Sequence, residues 1–268
     1  MPQYDFVEPS ASPANHVGLT TAFNGVVLDE VGATSFIFQT LKVEGRALIK
    51  TDIKSQAKEW SDGSWLTFSR IPSREIVVTA LIGLPDEVRD KAQHREMWEA
   101  LNRILTTRQP AELKFSDDAY SYMALYSGSS GVSETSYSEV VNLTFTCLDP
   151  YKYKPAAKFA INAIPGDFNI PVTPSQMEIV LAEDTDTIKI SNAQNGQNIV
   201  FHGDFKTGQK ITIQWNESII AVDGSRENML PKLDILSDIE MFEFKSGDSL
   251  SVVPSSSTVQ IEARAKAL

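Results

Sequence analysis

Two acidic clusters are the first places to look for chemistry. Asp117-Asp118 and Asp184-Thr185-Asp186 each bring two carboxylates close in sequence, as glycoside hydrolysis by a pair of acids requires. Both fall where strand patterns break, and a turn uses aspartate there just as readily; the turn reading is the better one. His16, His94 and His202 have no metal-ligand spacing between them. Asp223-Gly-Ser-Arg-Glu-Asn228 mixes acids with glycine as a calcium loop does. It lacks the EF-hand spacing and flanking helices, and reads instead as an Asp-Gly hairpin after Ile219-Ile220-Ala221-Val222. Trp60, Trp65 and Trp215 could stack on a sugar, but packing in a core or an interface accounts for them better. The chain has no Walker-type phosphate loop and no Gly-x-Ser-x-Gly elbow. These residues point to no catalytic, cofactor or metal site, and hence to no enzyme.

The elements that would position such residues are mostly short strands. Asn24-Gly25, Glu44-Gly45 and Asp62-Gly63 mark turns. Ile76, Val78, Ala80 and Ile82 share one face of a strand, with Val77 and Leu81 on the other, so that strand is expected to be covered on both sides. Residues 86–107 break the pattern: Val88, Ala92, Trp98, Leu101 and Leu105 recur at spacings of three and four, an amphipathic helix with Pro85 at its first position. Tyr120, Tyr122, Ala124 and Tyr126 then alternate with Ser121, Met123 and Leu125. Gly128-Ser-Ser-Gly131 reads as a mobile hairpin tip. Val141, Leu143, Phe145 and Cys147 form an inward face, which makes the single cysteine a buried structural thiol rather than a nucleophile.

Asp149-Pro-Tyr-Lys-Tyr-Lys-Pro155 looks like a domain boundary. Beyond it only strands are expected, over 158–164, 176–181, 187–191, 198–201, 210–215, 218–222, 240–244, 250–253 and 258–264. Asn195-Gly196, Gly203-Asp204, Asp223-Gly224 and Gly247-Asp248 punctuate them. That texture describes a β-sandwich or barrel. The domain reading is a leader or arm over 1–22, kept irregular by Pro2, Pro9 and Pro13, a β-rich domain with one helix over 23–153, and an all-β domain over 154–268.

Composition narrows the partners. The 268 residues are 42% hydrophobic and 22% charged, which suits a folded chain. Lys and Arg number 24 against 35 Asp and Glu, a net charge of −11. Divided after Lys154, the two parts carry −5 (15 against 20) and −6 (9 against 15). Neither has the basic surface that nucleic acid or an anionic membrane demands. One cysteine permits no intrachain disulfide and no multi-cysteine zinc site. No apolar run has the length of a membrane span, and the N-terminus has no signal-peptide pattern, so synthesis in a cytoplasm is expected.

Several stretches in order carry a resemblance: Phe23-Asn-Gly25, Arg74-Glu-Ile76, the helix, Leu113-Lys-Phe-Ser-Asp-Asp118, Tyr122-Met-Ala124 and Phe145-Thr-Cys-Leu-Asp-Pro-Tyr-Lys-Tyr153. Thr173-Pro-Ser-Gln-Met-Glu178, Ile188-Lys-Ile-Ser-Asn192, Gly196 and Val222-Asp-Gly224 continue it. From Phe23 to the C-terminus the chain resembles the distal tail protein (Dit) family of long-tailed, non-contractile phages. The resemblance implies a belt domain with one helix and a galectin-like β-sandwich. It also implies a homo-hexameric ring at the distal end of the tail in the virion, between the tail tube protein and a tail-associated fibre or lysin protein, with receptor-binding proteins at the rim. An acidic wall would let DNA pass such a ring without sticking. A sandwich of that kind also leaves a second reading, a carbohydrate-binding protein. Where the family tends to show an aromatic-Pro-x-Leu run with Gly and Asn, this chain has Asp234-Ile-Leu-Ser-Asp-Ile-Glu-Met-Phe-Glu243.

Overall fold

A computed structural model describes residues 18–31, 36–85, 90–133, 136–215, 219–222 and 230–268, with the backbone alone for Ile219, Ile220 and Val222. The leader up to residue 17 with His16, the expected helix start at 86–89 with Val88, and the Asp223–Asn228 turn lie outside the described residues. The chain divides into two compact units, one within residues 1–152 together with Leu268 and one of residues 153–267. The fold is mainly β with one substantial helix.

In the first unit, β1 (Thr21–Phe23) and β2 (Val26–Val27) are joined by Asn24-Gly25, both left-handed at φ 51° and 76°. That is the two-residue hairpin turn an Asn-Gly pair favours. After α1 (Leu28–Val31) come β3 (Ile37–Glu44), β4 (Asp52–Ala57), β5 (Ser64–Arg70), β6 (Arg74–Gly83), α2 (Lys91–Leu105), β7 (Ala111–Phe115), β8 (Ser121–Ser130) and β9 (Ser138–Cys147). The main sheet runs β2-β1-β7-β8-β9-β6-β3, antiparallel throughout, while among the described residues β4 and β5 pair only with each other. β6 and β9 match in unbroken register from Arg74↔Cys147 to Gly83↔Ser138. Their inward residues Ile76, Val78, Ala80, Ile82, Val141, Leu143, Phe145 and Cys147 are buried with Met97, Leu101 and Leu105 of α2. Each such aliphatic or aromatic side chain contributes about 1.5–3 kcal/mol by leaving water. Val77 and Leu81 on the other face of β6 are half-buried.

Three expectations for this unit are corrected. Asp90 is extended (φ −120°, ψ 141°), so α2 begins at Lys91 rather than at Pro85. Its inward stripe is Met97, Leu101 and Leu105, four residues apart, whereas Ala92 is exposed. The helix ends where Thr106 donates its N–H to Asn102 O and Pro110 follows. Finally, residues 128–130 are strand and not hairpin tip. A register shift between Tyr126 and Gly128 absorbs one residue, and Gly128, Ser129 and Ser130 then pair with Thr144, Leu143 and Asn142. The chain leaves the strand only at Gly131, where φ is 87°.

The two ends of this sheet are tied together by one side chain. Asp29 on α1 accepts the Thr21 N–H of β1 at 2.8 Å through one oxygen and the Thr40 N–H of β3 at 2.7 Å through the other. Thr40 Oγ1 also donates to Asp29 at 2.9 Å and lies 2.9 Å from Thr21 Oγ1. β1 and β3 are far apart in the strand order, so the sheet curls until they meet across this carboxylate.

The second unit opens at Tyr153, within the short β10 (Lys152–Tyr153). It contains β11 (Ala157–Ala160), β12 (Gln176–Val180), β13 (Thr185–Asn192), β14 (Asn198–Phe205), β15 (Lys210–Gln214), β16 (Ile219–Val222), β17 (Leu250–Val253) and β18 (Thr258–Ala263). Five form the sheet β11-β18-β12-β15-β16 and three the sheet β14-β13-β17. Met177, Ile179, Ile211, Ile213 and Ile261 from the first sheet share a core with Ile188, Ile190, Ile199 and Phe201 from the second, so the two face each other as a sandwich. Gly203-Asp204 lies inside β14 and is no turn. The strand expected at 240–244 is also absent. Residues 239–241 form a single helical turn, and Phe244 makes one isolated bridge with Val172. Phe242 and Phe244 do alternate into the core, but side chains replace the ladder: Gln197 accepts the Glu243 N–H, and Asn192 and Asn195 donate to the Glu243 carbonyl.

Asp29→Ala is expected to cost about 1–3 kcal/mol for each buried donor left without an acceptor, read as a lower urea midpoint, with Asp29→Asn losing less. Acid should act through Glu139. Burial pushes its carboxyl up, but the Ser133 hydroxyl and N–H and the Ser136 N–H outweigh this and hold it below the ordinary 4.5. Its stabilisation is therefore complete above pH 4.5 and is lost as pH falls through the lower folded-state value. Glu139→Gln should flatten that part of a stability–pH profile.

Candidate functional site

Each acidic cluster is occupied in holding the fold. Asp117 receives both terminal nitrogens of Arg46, at 2.7 and 2.9 Å, and the Arg46 guanidinium lies 4.5 Å over the Phe115 ring. Such a fork is among the stronger polar contacts available. Asp118 accepts Lys152 Nζ at 2.8 Å and the Tyr120 N–H at 3.0 Å. In the other unit Asp184 accepts the N–H and hydroxyl of Thr207, which hold its carboxyl below the usual range with help from Lys206. Asp186 is exposed on β13. A general acid needs a raised carboxyl pKa, whereas Asp184, Glu139 and Asp234 are all displaced downward.

The remaining residues with chemical potential are likewise dispersed. On α2, His94 Nε2 accepts the Trp98 indole N–H at 3.3 Å and its ring meets Tyr137 edge-on, beside an open groove of about 450 Å³. His202 bonds Asp234 through Nε2 at 3.0 Å. Among the described residues no three His, Cys, Asp or Glu side chains converge on a metal position. Trp215 packs on the sandwich core and donates its indole N–H to Ile239 O at 2.7 Å, whereas Trp60 and Trp65 belong to the first unit. Cys147 is buried, and burial pushes its thiol up to about 11 although Arg74 pulls the other way. Among the described residues no helix is long and apolar enough to cross a membrane.

What the structure offers is contact surface, and the turn signals alone did not reveal it. The β4–β5 ribbon is exposed along its whole length, with Trp60 94% and Trp65 66% exposed and Ile53, Leu66 and Phe68 also open to water. Lys58 Nζ lies 4.7 Å from the Trp65 ring centre and Lys54 Nζ 5.7 Å from that of Phe68, arrangements that steady exposed aromatics. Residues 46–70 hold five basic and three acidic residues, +2 within a chain of −11. The same unit exposes Ile37 and Leu41 on β3 and Val140 on β9. A hairpin of two strands is marginal in water by itself, and apolar groups gathered this way mark an interaction site.

Comparison with known proteins gives several likenesses. Residues 169–264 match the family model of the siphovirus-type tail component, C-terminal domain. The chain is similar to the distal tail protein of Bacillus phage SPP1, with 23% identity over 212 residues, covering 75% of this chain and 80% of that protein. Its fold is similar to the crystal structure of SPP1 Dit, described as a paradigm of the hub adsorption apparatus in phages infecting Gram-positive hosts. The TM-score is 0.71 at 19% identity, over 92% of this chain and 98% of that one. A more distant likeness, TM-score 0.50 at 10% identity over 91% of this chain and 97% of the other, links it to the phage P2 baseplate in its activated conformation with calcium.

The Cys147 thiol should resist an aromatic disulfide reagent at pH 8 in the native chain and react at once in denaturant. Both rates are read by absorbance.

Proposed function

We propose that this chain, a phage tail structural protein of the distal tail protein family, closes into a six-membered ring at the distal end of a long tail. The ring joins the tail tube protein above to a tail-associated fibre or lysin protein below and carries receptor-binding proteins at its rim. Its work is mechanical and connective, without catalysis, and the second unit serves as a galectin-like sandwich.

The observation that carries this reading is the ribbon. A ring of identical chains needs two different surfaces on each chain, one fitting the other on the next copy. The ribbon supplies one, apolar and net basic. The outward apolar residues Ile37, Leu41 and Val140 of the next copy's sheet supply the second, on a chain whose remaining charge is −13 once the +2 of residues 46–70 is set aside. Burying the ribbon between copies removes its aromatic surface from water and adds the attraction of opposite net charges.

Light scattering on a sizing column tests this. Six copies of 29.6 kDa give about 178 kDa, and Trp65→Ser with Phe68→Ser should return the particle to single chains. A native chain that stays at 29.6 kDa both alone and in the presence of tail-tube rings would overturn the ring.

A further inference from the structure

Residues 233–244, between β16 and β17, present apolar side chains to water in a fixed form. Ile235 is 96% exposed, Leu236 81% and Met241 71%. Exposure of this kind on a slack loop would mean little, but this loop is pinned to the sandwich. It lies along β14, which pairs with β13 on its other side. The Asp234 N–H donates to Val200 O at 2.8 Å and the Asp238 N–H to Asn198 O at 2.7 Å. In return the Val200 N–H donates to Ser237 Oγ, and the Asn198 N–H to Asp238 Oδ2, both at 2.9 Å. Asp234 Oδ1 takes the Leu236 N–H at 2.8 Å, while its other oxygen meets His202. Gln197 and the Trp215 indole donate to the carbonyls of Met241 and Ile239. Leu233, Ile239, Phe242 and Phe244 anchor the segment in the core.

The segment therefore divides its apolar residues, with four held inside and three held out. The three outward ones are ordered before any partner arrives, which removes much of the entropy cost of binding. Charge says what kind of partner fits. Residues 232–245 hold Asp234, Asp238, Glu240 and Glu243 against Lys232 and Lys245 at the two ends, a net charge of −2. Such a rim repels an anionic lipid surface and attracts a basic one, and the basic surface of a second copy, its ribbon, is already engaged between copies in the ring reading on which this inference rests. Aliphatic side chains also suit a protein socket better than a sugar ring, which stacks on aromatic faces.

We propose that Ile235, Leu236 and Met241 form a docking knob for a different protein of the same particle, one presenting an apolar socket rimmed by lysine or arginine. The knob belongs to the second unit and is separate from the ribbon, so it adds a contact to the ring reading without repeating it. Two variants test it in assembled virions. With Ile235→p-benzoylphenylalanine, light should cross-link the chain to one other virion protein, at a peptide carrying basic residues. Cross-links to a second copy of this chain, or none, would overturn the assignment. Leu236→Asp should leave the melting temperature and the solution mass unchanged while that protein is lost from the particles, and Glu240→Lys should reduce its amount several-fold. Particles that keep their full complement with Leu236→Asp refute the knob. So does a fall in solution mass, because the loop would then serve the contact between copies; the ring itself is judged separately by the ribbon variants.

Discussion

Asp29 closes the first unit on itself. Its carboxylate accepts backbone hydrogens from β1 and β3, and the Thr21 and Thr40 hydroxyls meet beside it. Without an acceptor at that seam, the N–H groups of two strands would be buried unpaired, which costs more than most single contacts return. With it, the curled sheet holds one continuous core, and α2 can lay Met97, Leu101 and Leu105 against the inward faces of β6 and β9. The outward face then becomes available for contacts with other chains.

Strand edges are treated in two opposite ways. In the second unit, the edge of β14 is covered by a loop whose backbone and side chains satisfy Asn198 and Val200. This removes a template for unwanted pairing. In the first unit, the β4–β5 ribbon has no third strand among the described residues. Alone it exposes tryptophan and phenylalanine to water, and in the proposed ring the neighbouring chain would supply the missing layer.

The polar side chains follow the same economy. Asp117, Asp118 and Asp184, which drew attention as candidate acids, are each saturated by basic groups or hydrogen-bond donors. The Thr207 donors hold Asp184 below the usual carboxylate range, the opposite of what a proton donor needs. Arg74, with the Thr107 and Ser257 hydroxyls, is an exception among the described buried groups. One terminal nitrogen bonds the Tyr122 hydroxyl and the guanidinium sits over that ring, while Nε and the other terminal nitrogen find no acceptor.

Much of the fold was legible in residue order, for a local reason. Side chains alternate at every second position on a strand and every three to four on a helix, so the faces of β6 and β9 could be read directly, as could the Asn24-Gly25 turn. The same rule misjudged residues 240–244, where the alternation is real but asparagine and glutamine side chains from distant positions take the place of a partner strand. It also misjudged 128–130, because a register shift of β8 against β9 is invisible along one chain. The site was less legible still. Ile53, Trp65, Leu66 and Phe68 have the pattern of a core strand, and Ile235 and Leu236 that of an ordinary apolar loop. Sequence by itself determined which residues are apolar and on which face of their own element they stand. Whether anything covers that face depends on strands and loops far away in the chain, and only the tertiary structure decided that these residues stand open to water.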